Sequence, residues 1–236
     1  MSWQAKKFWK EVSVVPEGDG FTVALDGRAI KTPSKAPLIL PTKALAEAVA
    51  EEWRAVDEVI QPDAMPVTRA ANSALDKVAV QRGAVIDMLA SYGETDLLCH
   101  RADSPEGLVE RQEAGWDPML LWAREALQAP LVATVGIMPA KQPATSLEQI
   151  RAAIAEHDDF ALTALHDLIM LSGSAVLGLA VAHGQITADD AWALSLIDEH
   201  WQEEQWGEDA EAKALENTKK ESFFAADRFL KMTRAS

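Results

Sequence analysis

Alternation of apolar and polar residues dominates the first forty positions. Residues 9–15 are rich in β-branched and aromatic side chains and read as a strand, and residues 16–20 as a turn. Phe21, Val23 and Leu25 then alternate with Thr22 and Ala24, the period of a strand. Asp26-Gly27 follows, a dipeptide suited to the positive φ angles of a two-residue type I′ hairpin turn. Residues 29–31 begin a return strand that Thr32-Pro33 ends, and residues 37–40 give a further short one. At Thr42 the period changes. Thr42 is a natural helix cap, and Leu45, Val49, Trp53 and Val56 share one helical face until Pro62 and Pro66 break the pattern.

From Thr68 onward the period is mainly helical. Ala71, Leu75, Val78, Val85, Met88, Leu89 and Tyr92 form a long stripe, with Gly83 a point of bending or division. Residues 94–102 read as extended. Pro105 opens a helix reaching Leu127, with Pro118 inside it as a kink or a break. Residues 131–137 are a β-branched run, a strand or an extended connector, ended by Met138-Pro139. Thr145 or Ser146 caps a helix that His157-Asp158-Asp159 ends, and the same residues cap the next, over 160–170. Residues 172–183 are apolar on every side and rich in small residues, the pattern of a buried helix. Gly184 stops it, and Thr187 with Asp189-Asp190 starts another. A last helix covers 210–232, with Leu215, Phe223, Phe224 and Phe229. These elements predict an α+β protein. A small N-terminal α/β domain, a β-hairpin or sheet plus a helix, occupies residues 1–75, and a larger all-helical orthogonal bundle occupies 76–236.

One stretch stands apart. Residues 188–211 hold three tryptophans and nine Asp or Glu, with no Lys or Arg between Asp189 and Glu211. The pattern predicts one long helix and its end. Trp201 shares an apolar stripe with Leu194 and Ile197 and is expected in the core, as are Trp53, Trp116 and Trp122. Trp206, beside Gly207 and among acids, is the tryptophan whose exposure the pattern leaves open.

Charge narrows the partners. A net charge of −15 argues against nucleic acid and anionic membrane. Residues 1–43 run the other way, with seven Lys or Arg against four Asp or Glu. The single cysteine, Cys99, rules out an intrachain disulfide and points to a reducing compartment. The start, MSWQAKKFWKE, has no apolar leader, and the longest apolar run, 168–182, is shorter than the roughly 20 residues that span a bilayer. A soluble, cytoplasmic protein without membrane insertion is expected.

Catalytic signatures are missing. No dinucleotide or phosphate-binding glycine motif occurs; Gly173 and Gly178 have the spacing of a phosphate loop, but Leu179 stands where the lysine belongs. There is no nucleophile elbow and no Glu-x-x-His pair. His200 with Glu203 and Glu204 forms a sparse metal set, for which a solvated polar face is the favoured reading. Cys99-His100 is read as a buried structural thiol rather than a nucleophile. No catalytic residue, cofactor or metal is assigned.

Eight stretches in this order resemble a known family: FWKEV (8–12), LDGRAIKTP (25–33), LPTKALAEAVAEEW (40–53), MPVTRAANSALD (65–76), YGETDLLCHRA (92–102), RQEAGWDPMLLW (111–122), and GSAVLGLA (173–180) with WGEDAEA (206–212). The chain is similar to the assembly chaperones of the F-type ATP synthase catalytic head, which hold the free α subunit until β arrives. The resemblance implies an N-terminal α/β domain, a C-terminal helical domain, no catalytic activity and no bound nucleotide. Mitochondrial members carry a transit peptide; none is visible here, which points to a bacterial, cytoplasmic version, expected to be a monomer. The implied partner is the ATP synthase α subunit. Glu203, Glu204, Trp206, Glu208 and Asp209 are the candidate partner-binding residues, with carboxylates pairing to basic groups and Trp206 as an apolar anchor. A basic face of Lys6, Lys7, Lys10, Arg28 and Lys31 is a second candidate surface. The competing class is an enzyme or small-molecule binder with a cleft between the domains lined by Asp96, Arg101, Gln112, Trp116 and Asp117.

Overall fold

A computed structural model describes residues 6–136 and 140–235. The described residues fall into two compact units. One takes residues up to 82 together with 159–164 and those from 228 on; the other takes 83–158 and 165–227.

The first unit is built on a three-stranded antiparallel sheet in the order β1 (Val12–Glu17), β2 (Gly20–Leu25), β3 (Arg28–Ala29). Pro16 lies inside β1, so the first turn is the pair between Glu17 and Gly20. The second turn is at Asp26-Gly27, where φ is 48° and 77°; both values are positive, as a type I′ turn requires. The Asp26 carboxylate also accepts from the main-chain N–H groups of Lys10 (3.0 Å) and Glu11 (2.8 Å), which ties the turn to the start of β1. Those two bonds hold its pKa below the ordinary carboxylate value. Leu40 exchanges main-chain bonds with Phe21 at 2.9 and 2.7 Å and extends the pairing. A side chain at Gly20 would collide with the Leu40 carbonyl oxygen, so this approach needs glycine.

Helix α1 (Lys43–Ala55) begins at Thr42, whose hydroxyl accepts from Leu45 N at 3.1 Å and donates to Met232 O at 2.6 Å. Its buried face, Leu45, Ala46, Val49 and Ala50, packs on β1 and β2. At its other end Glu52 accepts from Val67 N (2.7 Å), Thr68 N (2.8 Å) and the Thr68 hydroxyl (2.6 Å). These donors open α2 (Pro66–Ser73), so a carboxylate on one helix caps the next. The stripe through residues 67–92, with Gly83 as its expected point of bending or division, is divided. A π-turn covers Ala74–Val78, and α3 (Arg82–Ser91) restarts beside Gly83.

The second unit is mostly helical: α4 (Glu106–Ala126), α5 (Ala144–Ala155), part of α6 (Asp159–Ser172), α7 (Ala175–Ala182), α8 (Ala188–Ser195), α9 (Ile197–Trp206) and part of α10 (Ala210–Arg234). Pro118 interrupts none of α4. Residues 94–102, expected to be extended, form two 3-10 turns, Tyr92–Thr95 and Leu97–Cys99. Only β4 (His100–Arg101) is a strand, parallel to β5 (Thr134–Val135). Ile137, Met138 and Pro139 lie outside the described residues.

Every residue of α7 is buried. Gly178 lets it meet α6, because a methyl there would reach within 2.5 Å of an Ile169 side-chain carbon and 3.2 Å of the Ile169 nitrogen. Such a helix has no water at its N-terminus, so its free N–H groups need acceptors from the protein. Ser174 and Asp96 supply them. Ser174 Oγ accepts from Leu177 N (3.0 Å) and donates to Asp96 (2.7 Å); Val176 N donates to the other Asp96 oxygen (3.1 Å), and Leu98 N to the first (3.2 Å). Asp96 is fully buried, and burial outweighs these bonds, pushing its pKa up to about 6 from 3.8. A carboxyl raised in the fold stabilises most below its unfolded pKa, and that contribution is lost as pH rises through the folded value. A two-unit shift corresponds to about 3 kcal/mol. Urea unfolding of Asp96→Asn should therefore gain on the parent by up to about 3 kcal/mol between pH 4 and pH 7, whatever the offset at one pH. Parallel pH profiles would contradict this assignment.

Candidate protein-interaction site

The acidic, tryptophan-rich stretch is two helices rather than one long helix. It opens at Thr187 with a reciprocal cap: Thr187 Oγ accepts from Asp190 N, and Asp190 accepts from Thr187 N. It breaks at Leu196, with φ −115° and ψ 18°, where Leu196 N closes a tight turn on Ala193 O. The geometry explains the break. Nine residues of straight helix rotate by about half a turn, which would set Trp192 and Trp201 on opposite faces. Divided, α8 buries Trp192 against Phe223, with ring centroids 5.3 Å apart. Helix α9 instead lays Ile197 and Trp201 on α4, beside Leu194 from the end of α8.

On α4 the receiving stripe is Gly107, Arg111 and Gly115, spaced four apart on one face. A methyl at Gly107 would come within 2.9 Å of the Trp201 ring, and one at Gly115 within 2.8 Å of Ile197. Between the glycines, the Arg111 guanidinium sits 4.7 Å from the Trp201 ring centroid. It donates two bonds to Glu204, at 2.8 and 2.7 Å. The pair holds Glu204 below the usual carboxylate range and raises Arg111. Glu203 lies 3.5 Å from the Lys213 ammonium, which also binds Glu216 at 2.9 Å. The Glu216 hydrogen bond, aided by both charges, raises Lys213.

Gly207, at φ 91°, ends α9. Asp209 then starts α10 by accepting from Glu211 N (2.8 Å) and Ala212 N (3.1 Å). The five candidate residues thus divide. Glu203 and Glu204 are paired within the chain, and Asp209 caps a helix. Glu208 has no partner among the described residues. Trp206 is 78% exposed, and Leu215 on α10 is 56% exposed.

The metal set comes together in altered form. His200, Glu203 and Glu216 place ligand atoms within 4.8 Å of one another, and Glu204 turns instead to Arg111. Lys213 bonds two of the three, so an ammonium already meets that charge. Cys99 is buried, and burial with the nearby Asp96 charge pushes its thiol up to about 12. A thiol held protonated is a poor nucleophile.

The residues of the competing cleft lie within the second unit, with their polar atoms committed to structure. Arg101 donates to Leu98 O and Asp117 and lies over Trp116. Gln112 accepts from Ala102 N and donates to Asp198, and Trp116 Nε1 donates to Leu194 O. On the basic face Lys6, Lys10, Arg28 and Lys31 are exposed, while Lys7 Nζ donates to Val56 O at 2.6 Å.

The model of the ATP12 chaperone protein family matches residues 6–124. The chain belongs to the ATP12 chaperone family. Two solved structures of Atp12 from Paracoccus denitrificans, one of them a mutant, share 52% identity with it, at TM-scores of 0.94 and 0.95. They cover 98% of this chain and 98 to 99% of their own. The Atu1473 protein of Agrobacterium tumefaciens matches at 40% identity and TM-score 0.90, over 97% of this chain and 86% of its own. Mitochondrial atp12 of Schizosaccharomyces pombe is 23% identical over 224 residues, 90% of this chain and 77% of the yeast protein. The family is that of ATP synthase assembly chaperones, as the sequence motifs implied, and the mixed N-terminal and helical C-terminal architecture agrees. Among the described residues no helix is long and apolar enough to cross a membrane.

Local pattern pointed to the acids and to Trp206 but missed Arg111, Lys213 and Gly107. Arg111 lies 93 residues from Glu204, beyond the reach of any periodicity. Lys213 follows the acidic run directly, and Gly207 was the signal that the chain turns back there. In this arrangement Trp201 supports the unit and Trp206 does not. Urea unfolding should show Trp201→Ala losing about 2 kcal/mol or more and Trp206→Ala changing by no more than about 0.5 kcal/mol. Equal losses would contradict the division.

Proposed function

We propose that this chaperone binds the unassembled α subunit of the F-type catalytic head and keeps it from aggregating until β takes its place, without catalytic turnover. A lone subunit exposes surface meant for its neighbour, and exposed interface drives aggregation of assembly intermediates. A cover that must later yield is best made from a polar, separable contact with a few anchors. The end of α9 fits that description. The observation carrying the reading is Trp206, a large ring 78% exposed, with no side-chain hydrogen bond or ring contact among the described residues and with acidic residues on both sides of it in sequence.

In this reading Trp206 enters an apolar recess on the client, and Leu215 flanks it. Glu208 meets a basic group directly. Glu203 and Glu204 add negative potential that speeds encounter, while Lys213 and Arg111 keep their net attraction moderate. Asp209 fixes where α10 starts and so where Trp206 points. The chaperone acts as a monomer, in the bacterial cytoplasm, with no cofactor. The cleft reading loses ground because the side chains it requires are bonded to one another and to the main chain.

Capture of purified α subunit tests this. Trp206→Ala should weaken it by about 2 kcal/mol, roughly thirtyfold. Glu203→Lys with Glu204→Lys should weaken it as well. The Arg111–Glu204 pair is about half exposed and the Lys213–Glu203 pair partly so, and solvent-screened pairs of this kind contribute little to the fold. Undiminished capture by both variants would overturn the placement; failure of the parent protein to capture α, but not β, would overturn the client.

A further inference from the structure

The first unit contains a cleft of about 380 Å³ lined by the end of α1 and by the connecting segment 56–65 that leads to α2. Its floor is apolar, with Val56, Val59 and Met65, and its rim carries Glu52, Asp57 and Glu58. The floor is fixed from beneath. Val56 and Met65 belong to the buried cluster of Trp9 and Leu25, against which Trp53 and Ile60 pack. The wall is fixed from the side, because Lys6 bridges Val59 and Lys7 N donates to Glu58 O at 2.9 Å. A recess held this way is formed before anything enters it, which lowers the ordering cost of binding.

The charges on the rim are unequal in availability. Both Glu52 oxygens are occupied by the first turn of α2. Asp57 and Glu58 are exposed and have no ion-pair partner among the described residues. Lys7, the cation that reaches this wall, donates to the Val56 carbonyl and to neither carboxylate. An apolar trough ending in two free carboxylates matches one common group, a long aliphatic stem with a cation at its tip. Anions are repelled, and a purely apolar group would leave the carboxylates without a partner.

We propose that this cleft receives a lysine or arginine side chain of a client polypeptide, with the stem on Val56, Val59 and Met65 and the charge between Asp57 and Glu58. The inference rests on the reading of the chain as a chaperone of polypeptides, and does not depend on where the client meets α9.

The test is a titration of the ¹⁵N-labelled full chain with capped pentapeptides of glycine bearing a central arginine, lysine or norleucine. Saturable shifts of the Val59 and Ala64 amides and the Trp53 indole N–H with the arginine or lysine peptide, and none with norleucine, are expected. Asp57→Asn with Glu58→Gln should weaken that binding roughly three- to tenfold. Ala64→Trp, at an exposed lining position, should block it. Dispersed spectra of both variants confirm that they fold. Equal shifts with norleucine, unchanged affinity in the neutralised variant, or no saturable shift would overturn the proposal. None of these outcomes touches the capture of α through Trp206.

Discussion

The Asp96 carboxylate is the fixed point of the helical unit. It lies between a short 3-10 turn, residues 97–99, and the start of a helix with no exposed residue. Helix α7 is apolar all round, so no pattern of its own selects a rotation or a depth. The carboxylate makes the selection. It accepts from Ser174, Val176 and Leu98, and the bonds are satisfied only when turn and helix meet in one register. Burying the charge is costly, as its raised pKa records. Here the cost goes to uniqueness of packing rather than to net stability. The same burial keeps the Cys99 thiol protonated, which places both groups with the structure and not with chemistry.

At the end of α9 electrostatics take a different form. The negative charge there is already partly met, by Arg111 on α4 and Lys213 on α10. These pairs are partly exposed, the Arg111 pair more than the Lys213 pair, and contribute little to stability singly. Together with the Trp201 ring and the glycine stripe of α4 they fix the direction in which α9 ends. A helix end held this firmly can present one unsupported ring, Trp206, without sacrificing the fold. In the proposed reading, this separation of support from display lets the chaperone grip a client through few residues and still release it.

Much of the architecture was legible in the sequence. Period-two alternation and Asp26-Gly27 gave the hairpin, Thr42 and Thr187 gave their caps, and the uniformly apolar 172–183 gave a buried helix. Departures arose where tertiary contacts outweighed local pattern. The 94–102 segment reads as extended but turns before His100, because Asp96 must point at the start of α7. The tryptophan-rich helix divides at Leu196, because two rings nine residues apart cannot both face inward on a straight one. The π-turn at residues 74–78 has no marker in its composition. In the site, Trp206 beside Gly207 was visible as a helix end among acids. The pairing of Glu203 and Glu204 was not, since its cations come from other helices.

The central claim, that the end of α9 meets the client, is tested most directly by hydrogen exchange of the chaperone with and without purified α subunit. The account predicts slowed exchange concentrated in residues 200–216 on complex formation. Protection confined to the basic strands and turns of residues 6–31, with 200–216 unchanged, would contradict it.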